Sequence, residues 1–279
     1  MGFLDELRVD GVKSFDVEKA VKEAAVDLSA DPMPEPCLLS CGANWDGSPL
    51  CIFGEGDYSV ISGVGGVRKS FLKTALIASY IGGQTDFGYF KSHLQSKKMV
   101  IDIDTEQSEY RTQLVFRRVE NMVGSRYPNY HCFRLRKHSP SERLAIIDAI
   151  IEMYGNGIGL LSIDGYADLI TDTNDNVESA ELAQKVMSWT DNYTFHVTGI
   201  LHENPDGRKM RGHLGSEMSR KASTILSVSQ DKDDVNHSLV YHTKSRDEKF
   251  KPFLFGVDAG LPKYIGEKEF KKVEDKSFF

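Results

Sequence analysis

Apolar and polar residues follow two alternating patterns along most of the chain. Short apolar runs, such as 160–163 before Asp164, are typical of strands buried on both faces of a sheet. Longer segments with apolar residues three or four positions apart are typical of amphipathic helices. The predicted strands are 58–62, 99–104, 130–135, 160–164, 195–201, 224–229, 238–243 and 253–257, and the predicted helices are 70–80, 106–122, 140–154, 177–189 and 213–221.

The order of these elements predicts the fold class. Strands and helices alternate from residue 58 to residue 221, which favours an α/β fold with a mainly parallel sheet covered by helices on both faces. The last strands follow one another without helices, so we expect an antiparallel edge at the C-terminal end of the sheet. Residues 3–29 predict two short amphipathic helices, and the prolines within 30–36 predict an extended linker. The predicted organisation is a helical N-terminal arm and linker at 1–34, one α/β domain at 35–265 and a charged C-terminal tail at 266–279.

Composition and charge limit the classes of protein. The 279 residues are 40% hydrophobic and 27% charged, which is typical of a globular protein with a sizeable core. A net charge of −7 excludes a whole-surface polycation, so contact with nucleic acid requires a local patch. No apolar run approaches the ~20 residues of a membrane span, and the acidic start lacks the apolar region of a secretory signal, so we expect a cytoplasmic protein without a membrane partner. Cys37 and Cys41 have no second ligand pair at a suitable spacing, which favours reduced thiols over a zinc site.

A glycine-rich segment lies between the first strand and the first helix of the alternating region. It is close to the phosphate-binding pattern G-x-x-x-x-G-K-[ST] and stands where such a loop must lie. Glycines let backbone N–H groups turn toward phosphate oxygens, and the helix N-terminus adds partial positive charge. Lys69 is expected to reach the β- and γ-phosphates of a nucleotide, and Ser70 to bind Mg²⁺. The predicted nucleotide-binding residues are Gly63, Gly65, Gly66, Val67, Arg68, Lys69, Ser70 and Phe71.

Arg68 departs from the pattern, which has glycine just before the lysine. A residue with a Cβ adopts positive φ only at a cost, and Arg68 is expected to add a bulky cation beside the phosphates. Two consequences stay open: either the loop is shaped differently, with Gly65 and Gly66 in the strained conformations, or nucleotide affinity is reduced. The alternative for the whole segment is a glycine-rich turn that contains a lysine by chance.

Polar residues follow several strands at the edge where open α/β sheets bind ligands. Glu106 is a candidate to orient an attacking water molecule, the alternative being a helix N-terminal glutamate stabilised by the helix dipole. Asp164 ends an apolar strand and is a candidate to hold Mg²⁺, the alternative being a residue that closes the turn with Gly165. His202 ends the next strand and is a candidate sensor of a γ-phosphate.

Two groups of cations stand out in this acidic chain. The first lies in the loop after His202 and is either solvated or a contact to the DNA backbone. The second follows the strand at 238–243 and is either a surface charge or, in an assembled ring, an arginine finger that reaches the nucleotide of a neighbouring subunit. The first group is Arg208, Lys209 and Arg211, and the second is Lys244 and Arg246.

Together these residues resemble the RecA/DnaB superfamily of oligomeric P-loop ATPases, and most closely the RepA-like ATPases of bacterial plasmids and mobilizable transposons, including the TnpC type. The resemblance covers residues 35 to about 262. It implies that Lys69 and Ser70 form the nucleotide-loop pair, that Glu106 is the catalytic glutamate and that Asp164 is the magnesium-linked aspartate. It also implies that His202 is the γ-phosphate sensor. Lys244 and Arg246 resemble the K-x-R element that acts across a subunit interface, and the loop after His202 corresponds to a lining of the DNA channel.

The resemblance therefore implies a RecA-like, helicase-type ATPase that uses ATP and Mg²⁺. It implies a homo-oligomeric ring or filament that acts on DNA, with single-stranded DNA as the expected partner, in replication, mobilisation or excision of a mobile element. The N-terminal arm has no residue-level match, and by analogy it packs on a neighbouring subunit. The competing hypothesis is a nucleotide-binding accessory or DNA-binding protein in which Arg68 leaves little or no turnover.

Overall fold

The computed structural model of the chain describes residues 16–29, 31–82, 85, 87–93, 99–204, 210–246 and 248–268. The chain divides into two compact units, Met1–Pro34 and Glu35–Phe279. In the first unit, helix α1 (Val17–Ala24) begins after Asp16, whose carboxylate accepts a hydrogen bond from the backbone N–H of Lys19 at 3.0 Å. None of the α1 side chains is buried. The other helix predicted for the arm falls mostly on residues outside the described part of the chain.

The second unit is an α/β fold. Its strands are β1 (Cys37–Ala43), β2 (Pro49–Gly54), β3 (Tyr58–Gly63), β4 (Lys91–Ser92), β5 (Met99–Asp104), β6 (Tyr130–Arg134), β7 (Ile158–Asp164), β8 (His196–His202), β9 (Thr224–Gln230), β10 (Ser238–Lys244), β11 (Phe253–Asp258) and β12 (Leu261–Glu267). Its helices are α2 (Lys69–Tyr80), α3 (Glu109–Val123), α4 (Pro140–Tyr154), α5 (Asn176–Tyr193) and α6 (Gly212–Lys221), with 3-10 turns at Gly155–Gly157 and Tyr166–Leu169.

Nine of these strands form one sheet in the order β12-β11-β10-β9-β3-β8-β7-β5-β6. The six strands from β9 to β6 in this order are parallel, whereas β10, β11 and β12 form an antiparallel edge. The predicted mainly parallel sheet with an antiparallel C-terminal edge is therefore confirmed. Two features were not predicted from the sequence. One is β12, which runs past residue 265, the predicted end of the α/β domain, and the other is the separate sheet β2-β1-β4.

Helices cover both faces of the large sheet. Val60 and Ile61 are consecutive in β3, yet they belong to two different buried clusters because neighbouring strand residues point to opposite faces. The cluster with Ile61 contains residues of α2 and α3, whereas the cluster with Val60 contains residues of α4, α5 and α6. No helix in the described part of the chain is long and apolar enough to cross a membrane.

The parallel strands bring their last residues to one edge of the sheet. Gly63 at the end of β3 pairs with His202 at the end of β8, and Asp104 at the end of β5 pairs with Asp164 at the end of β7. We call this edge the carboxyl edge. The opposite edge, where β3 begins and the antiparallel β10 ends, is called the amino edge.

Candidate functional site

The glycine-rich loop joins β3 to α2 at the carboxyl edge. A Cβ on Gly63 would lie 2.3 Å from the carbonyl oxygen of Val228, so only glycine fits there. Gly66 has a φ of 83° and Arg68 a φ of 69°, whereas Gly65 is outside the left-handed region. Arg68 therefore carries part of the strain that sequence analysis assigned to glycines, at a cost of roughly 1–2 kcal/mol for a residue with a Cβ. Arg68 is the residue that directly precedes α2, which begins at Lys69.

The side chain of Arg68 lies against the turn between β9 and β10. Its Nη1 donates to the Ser238 hydroxyl at 3.2 Å and its Nη2 to the Val235 carbonyl at 3.3 Å. Ser238 in turn donates to the Val67 carbonyl at 3.1 Å, which fixes the loop to β10. These bonds hold the guanidinium group against the turn, and the expectation that Arg68 adds a cation beside bound phosphates stays a prediction.

Lys69 occupies the centre of the loop. Its side chain is 5% exposed, and Nζ donates to the carbonyls of Gly63 and Val64, both at 2.7 Å, and to Nδ1 of His202 at 3.2 Å. Burial lowers the pKa of Lys69, while the nearby carboxylate of Asp164 opposes this shift. The three N–H bonds of the ammonium group are all used, so an anion that binds here has to replace one of these acceptors.

His202 links Lys69 to Glu106. Since Nδ1 accepts from the Lys69 ammonium group, the neutral ring carries its proton on Nε2, which lies 3.4 Å from Oε1 of Glu106. The contact with His202 lowers the pKa of Glu106, so the glutamate is an anion near neutral pH. The structure thus brings together three of the residues that sequence analysis predicted for one site.

Glu106 lies in a bend rather than in a helix. Helix α3 begins at Glu109, three residues later than predicted, because Oδ1 of Asp104 accepts the backbone N–H groups of Glu106 at 3.0 Å and Gln107 at 2.8 Å. This turn holds the Glu106 carboxylate next to His202. Glu106 therefore lies just before the helix and not within its first turn.

A cleft of 570 Å³ opens beside this arrangement, lined by Glu106, His202, Glu203, Asn204 and Arg211. Sequence analysis missed Glu203, although it directly follows the predicted sensor. Its N–H donates to the Gly63 carbonyl at 3.1 Å, and its carboxylate accepts from the Ser62 hydroxyl at 2.9 Å. Arg211 is the one predicted DNA-binding cation that the structure describes, since Arg208 and Lys209 lie outside the described residues.

Asp164 provides the carboxylate for the predicted metal site. The side chain is 5% exposed, and its Oδ2 accepts no hydrogen bond. Within the described ranges, no three or more His, Cys, Asp and Glu residues converge on a metal position. Mg²⁺ is often bound by only one or two protein groups together with phosphate oxygens and water, so the Ser70 hydroxyl and the Asp164 carboxylate fit such an ion in the presence of a nucleotide.

Lys73 completes a buried ionic cluster that sequence analysis missed. It lies one turn after Lys69 on α2, with Nζ 3.0 Å from Oδ1 of Asp102 and 3.5 Å from Oδ2 of Asp164. Burial alone lowers the pKa of Lys73, but Asp102 and Asp164 outweigh it and raise this pKa above its usual range. A lysine four positions after Lys69, inside an otherwise apolar stretch of helix, was the available signal.

Lys244 and Arg246 lie at the amino edge. Lys244 donates to the carbonyls of Ser219 at 2.9 Å and Arg220 at 2.7 Å, in the last turn of α6. Arg246 donates to Asp57, immediately before β3, at 2.9 Å. The six residues of β3, roughly 20 Å at ~3.3 Å per residue, separate this edge from the glycine-rich loop. Neither cation reaches the loop of its own chain.

No protein-family model matches the chain, and no curated protein is significantly similar to it. A buried lysine at a helix N-terminus, an ionised glutamate and an unbonded aspartate oxygen meet at one sheet edge. This combination of groups suits a polyanionic substrate that carries a divalent cation.

Proposed function

We propose that this protein is an Mg²⁺-dependent ATPase with a RecA-like P-loop core, a member of the RecA/DnaB superfamily similar to RepA-like ATPases of mobile elements. One observation carries the proposal: Lys69, Glu106, Asp164 and His202 lie at the same edge of a parallel sheet, around a glycine-rich loop that opens a helix. Ligands of open α/β sheets bind at this edge, and helix N-termini favour phosphate.

Each residue has a role in this proposal that fits its surroundings. Lys69 exchanges a loop carbonyl for a phosphate oxygen, and Ser70 and Asp164 hold Mg²⁺. When bound, the ion neutralises charge that develops on the phosphates. Glu106 is ionised and its side chain is 39% exposed at the cleft, so it is able to orient an attacking water molecule. His202 contacts both Lys69 and Glu106, so a change at either residue alters the contacts of the other.

Assembly is the second part of the proposal. Lys244 and Arg246 lie a strand length away from the loop of their own chain, so any action on a nucleotide has to be on that of a neighbouring copy. We therefore propose a homo-oligomeric ring or filament in which these cations complete the neighbour's site.

DNA is the proposed partner of the loop after β8. Arg211 lies at the cleft beside His202, and its backbone N–H donates to the His202 carbonyl at 3.0 Å, so the base of this loop is bonded to the candidate sensor. Changing Arg208, Lys209 and Arg211 together to Ala should flatten the salt dependence of affinity for a single-stranded oligonucleotide by about 0.7 in log–log slope per lost phosphate contact. The same slope in both proteins would remove the loop from the DNA interface.

Arg68 favours the second candidate function, a nucleotide-binding accessory protein with little turnover. Its left-handed conformation is strained, and its side chain fixes the loop to β10. A loop held in this way binds nucleotide without the adjustments that turnover requires. Tight ATP binding by calorimetry, combined with hydrolysis no faster than in the Glu106→Gln variant, would support this candidate.

The ATPase proposal is tested by steady-state hydrolysis. Wild type, Lys69→Ala and Glu106→Gln are compared with Mg²⁺, with and without single-stranded DNA. We expect hydrolysis by wild type that DNA stimulates, and background rates for both variants. Lys251→Ala is the matched control, because Lys251 is an exposed cation whose ammonium group pairs with Glu267 at 3.1 Å on the antiparallel edge. Equal rates in all four proteins would refute catalysis.

A further inference from the structure

Lys73 and Asp102 form an ion pair directly beneath the candidate metal ligand Asp164. Both side chains of the pair are fully buried, and Asp164 is 5% exposed. Asp102 is saturated from two sides, because Oδ1 contacts Lys73 at 3.0 Å and Oδ2 accepts from the Tyr130 hydroxyl at 2.8 Å. Lys73 is thus shared between two buried carboxylates, Asp102 at 3.0 Å and Asp164 at 3.5 Å.

Asp164 has no such saturation. Its Oδ2 accepts no hydrogen bond, and the charge closest to it among the described ion pairs is the Lys73 ammonium group at 3.5 Å. Lys69 also attracts Asp164, but its three N–H bonds are directed at Gly63, Val64 and His202. The carboxylate is thus partly neutralised and still has an unused oxygen.

A cation next to a metal ligand weakens binding of the metal. A divalent ion at Asp164 gains the attraction of this carboxylate and of the neighbouring Asp104, and it meets the repulsion of Lys73 at short range. Nucleotide phosphates bring the further negative charge that offsets this repulsion. This balance of charge predicts that Mg²⁺ binds together with phosphate and not before it.

We propose that Lys73 is a positioning residue that serves as the built-in counter-ion of Asp164, so that the site binds Mg²⁺ only in the presence of nucleotide phosphates. This inference rests on the proposed function of Asp164 as a metal ligand. It goes further by assigning to Lys73 the control of metal entry. The residue touches neither substrate nor metal in this account and acts through Asp164.

The test is a titration of the nucleotide-free protein with Mn²⁺, a paramagnetic substitute for Mg²⁺, with the free ion measured by electron paramagnetic resonance. The variant is the double substitution Lys73→Met with Asp102→Asn, because Lys73→Met alone leaves Asp102 buried without its counter-ion. We expect wild type to bind Mn²⁺ weakly and the double variant to bind it at least about tenfold more tightly. Adding Asp164→Asn to the double variant should remove the gain.

A matched control removes a different ion pair. Lys185→Met with Asp148→Asn deletes a pair with a distance of 2.7 Å between α5 and α4, on the opposite face of the sheet from α2. This control should leave Mn²⁺ affinity unchanged. Circular dichroism confirms that each variant is folded, and a double variant that does not fold is replaced by Lys73→Gln, whose amide still donates to Asp102.

Equal Mn²⁺ affinity in wild type and the charge-free variant would overturn the proposal, as would a gain that persists after Asp164→Asn. Because nucleotide is absent from the titration, the outcome does not depend on whether the protein hydrolyses ATP. Failure of the ATPase assay with success of the titration would refute the proposed function and leave the counter-ion role standing.

Discussion

The two edges of the sheet hold their cations in different ways. At the carboxyl edge, Lys69 and Lys73 are buried, and their hydrogen bonds are to groups of the same chain. At the amino edge, Arg246 is 59% exposed, and it pairs with Asp57 at the surface. The carboxyl edge therefore gathers buried lysines and carboxylates, whereas the amino edge leaves the Arg246 side chain largely exposed.

The carboxylates of the two edges also differ in how well nearby cations compensate their charge. The buried carboxylates at the carboxyl edge share two lysines, and Glu106 has a lowered pKa because of His202. At the amino edge, burial raises the pKa of Asp57 to about 6, and the exposed Arg246 only partly opposes this shift. Arg246 therefore stabilises its own chain only weakly.

The largest expected effect concerns Arg246. If this residue completes a neighbour's site, Arg246→Ala should slow ATP hydrolysis by about 10³-fold or more, because an arginine finger offsets charge on the transferring phosphoryl group. The measurement is the steady-state rate at a protein concentration where wild type is assembled. Lys251→Ala is again the control.

Mixing variants shows whether Arg246 acts between chains. Arg246→Ala and Lys69→Ala are each expected to be inactive alone, but in mixed assemblies an intact Lys69 site can receive Arg246 from the other subunit. Recovery of activity on mixing is the expected outcome. A protein that is monomeric at all concentrations and fully active would contradict the proposal that Arg246 acts on the site of a neighbouring chain.

The second prediction concerns Glu106. Glu106→Gln keeps the size and the contact to His202 but removes the negative charge, so hydrolysis should fall by about 10²- to 10⁴-fold. ATP affinity, measured by calorimetry, should change little, since Lys69 and the loop are untouched. A variant that keeps the wild-type rate would mean that another group, such as Glu203, which also lines the cleft, orients the water.

The third prediction concerns stability at the amino edge. Asp57 has a pKa of about 6 when folded and 3.8 when unfolded, so the folded chain binds more protons between these values. The free energy of unfolding should therefore fall by about 2 kcal/mol from this residue as the pH rises from 4 to 6. In Asp57→Asn this fall should be absent, as measured by urea unfolding at a series of pH values. A parallel pH profile in both proteins would show that Asp57 is well compensated.

The smallest expected effect concerns Arg68. Arg68→Gly relieves the left-handed backbone and loses the bonds to Ser238 and Val235, whereas Arg68→Ala loses the bonds without the relief. The Gly variant should be more stable than the Ala variant by about 1 kcal/mol. Equal urea midpoints for the two variants would mean that the loop relaxes out of the left-handed conformation.

The alternation of strands and helices could be predicted from the sequence because buried parallel strands are short apolar runs and the covering helices are amphipathic. The elements that were missed lack this signal. β12 alternates exposed and partly buried residues at the sheet edge, and β1 and β2 contain glycine, serine and cysteine. Their pairing depends on contacts between distant segments, which local patterns do not record.

The site residues that follow strands were predicted from the sequence, whereas those inside strands or helices were not. Lys69, Glu106 and Asp164 were accessible because the ends of parallel strands meet at one edge. Lys73 and Asp102 were not, because a charge inside an apolar element is a signal whose meaning depends on its partner, and that partner is known only from the structure. The direction of the Arg68 side chain likewise depends on Ser238, which is 170 residues away in the chain.

The central claim is that the glycine-rich loop at the carboxyl edge binds a nucleotide through Lys69. Calorimetric titration of ATP with Mg²⁺ into wild type, Lys69→Ala and Lys251→Ala tests it most directly. Wild type and Lys251→Ala should bind ATP with the same affinity, and Lys69→Ala should bind at least about tenfold more weakly, since it lacks a charge-assisted contact to phosphate. Equal affinity in Lys69→Ala and wild type, or no binding to wild type, would contradict the account.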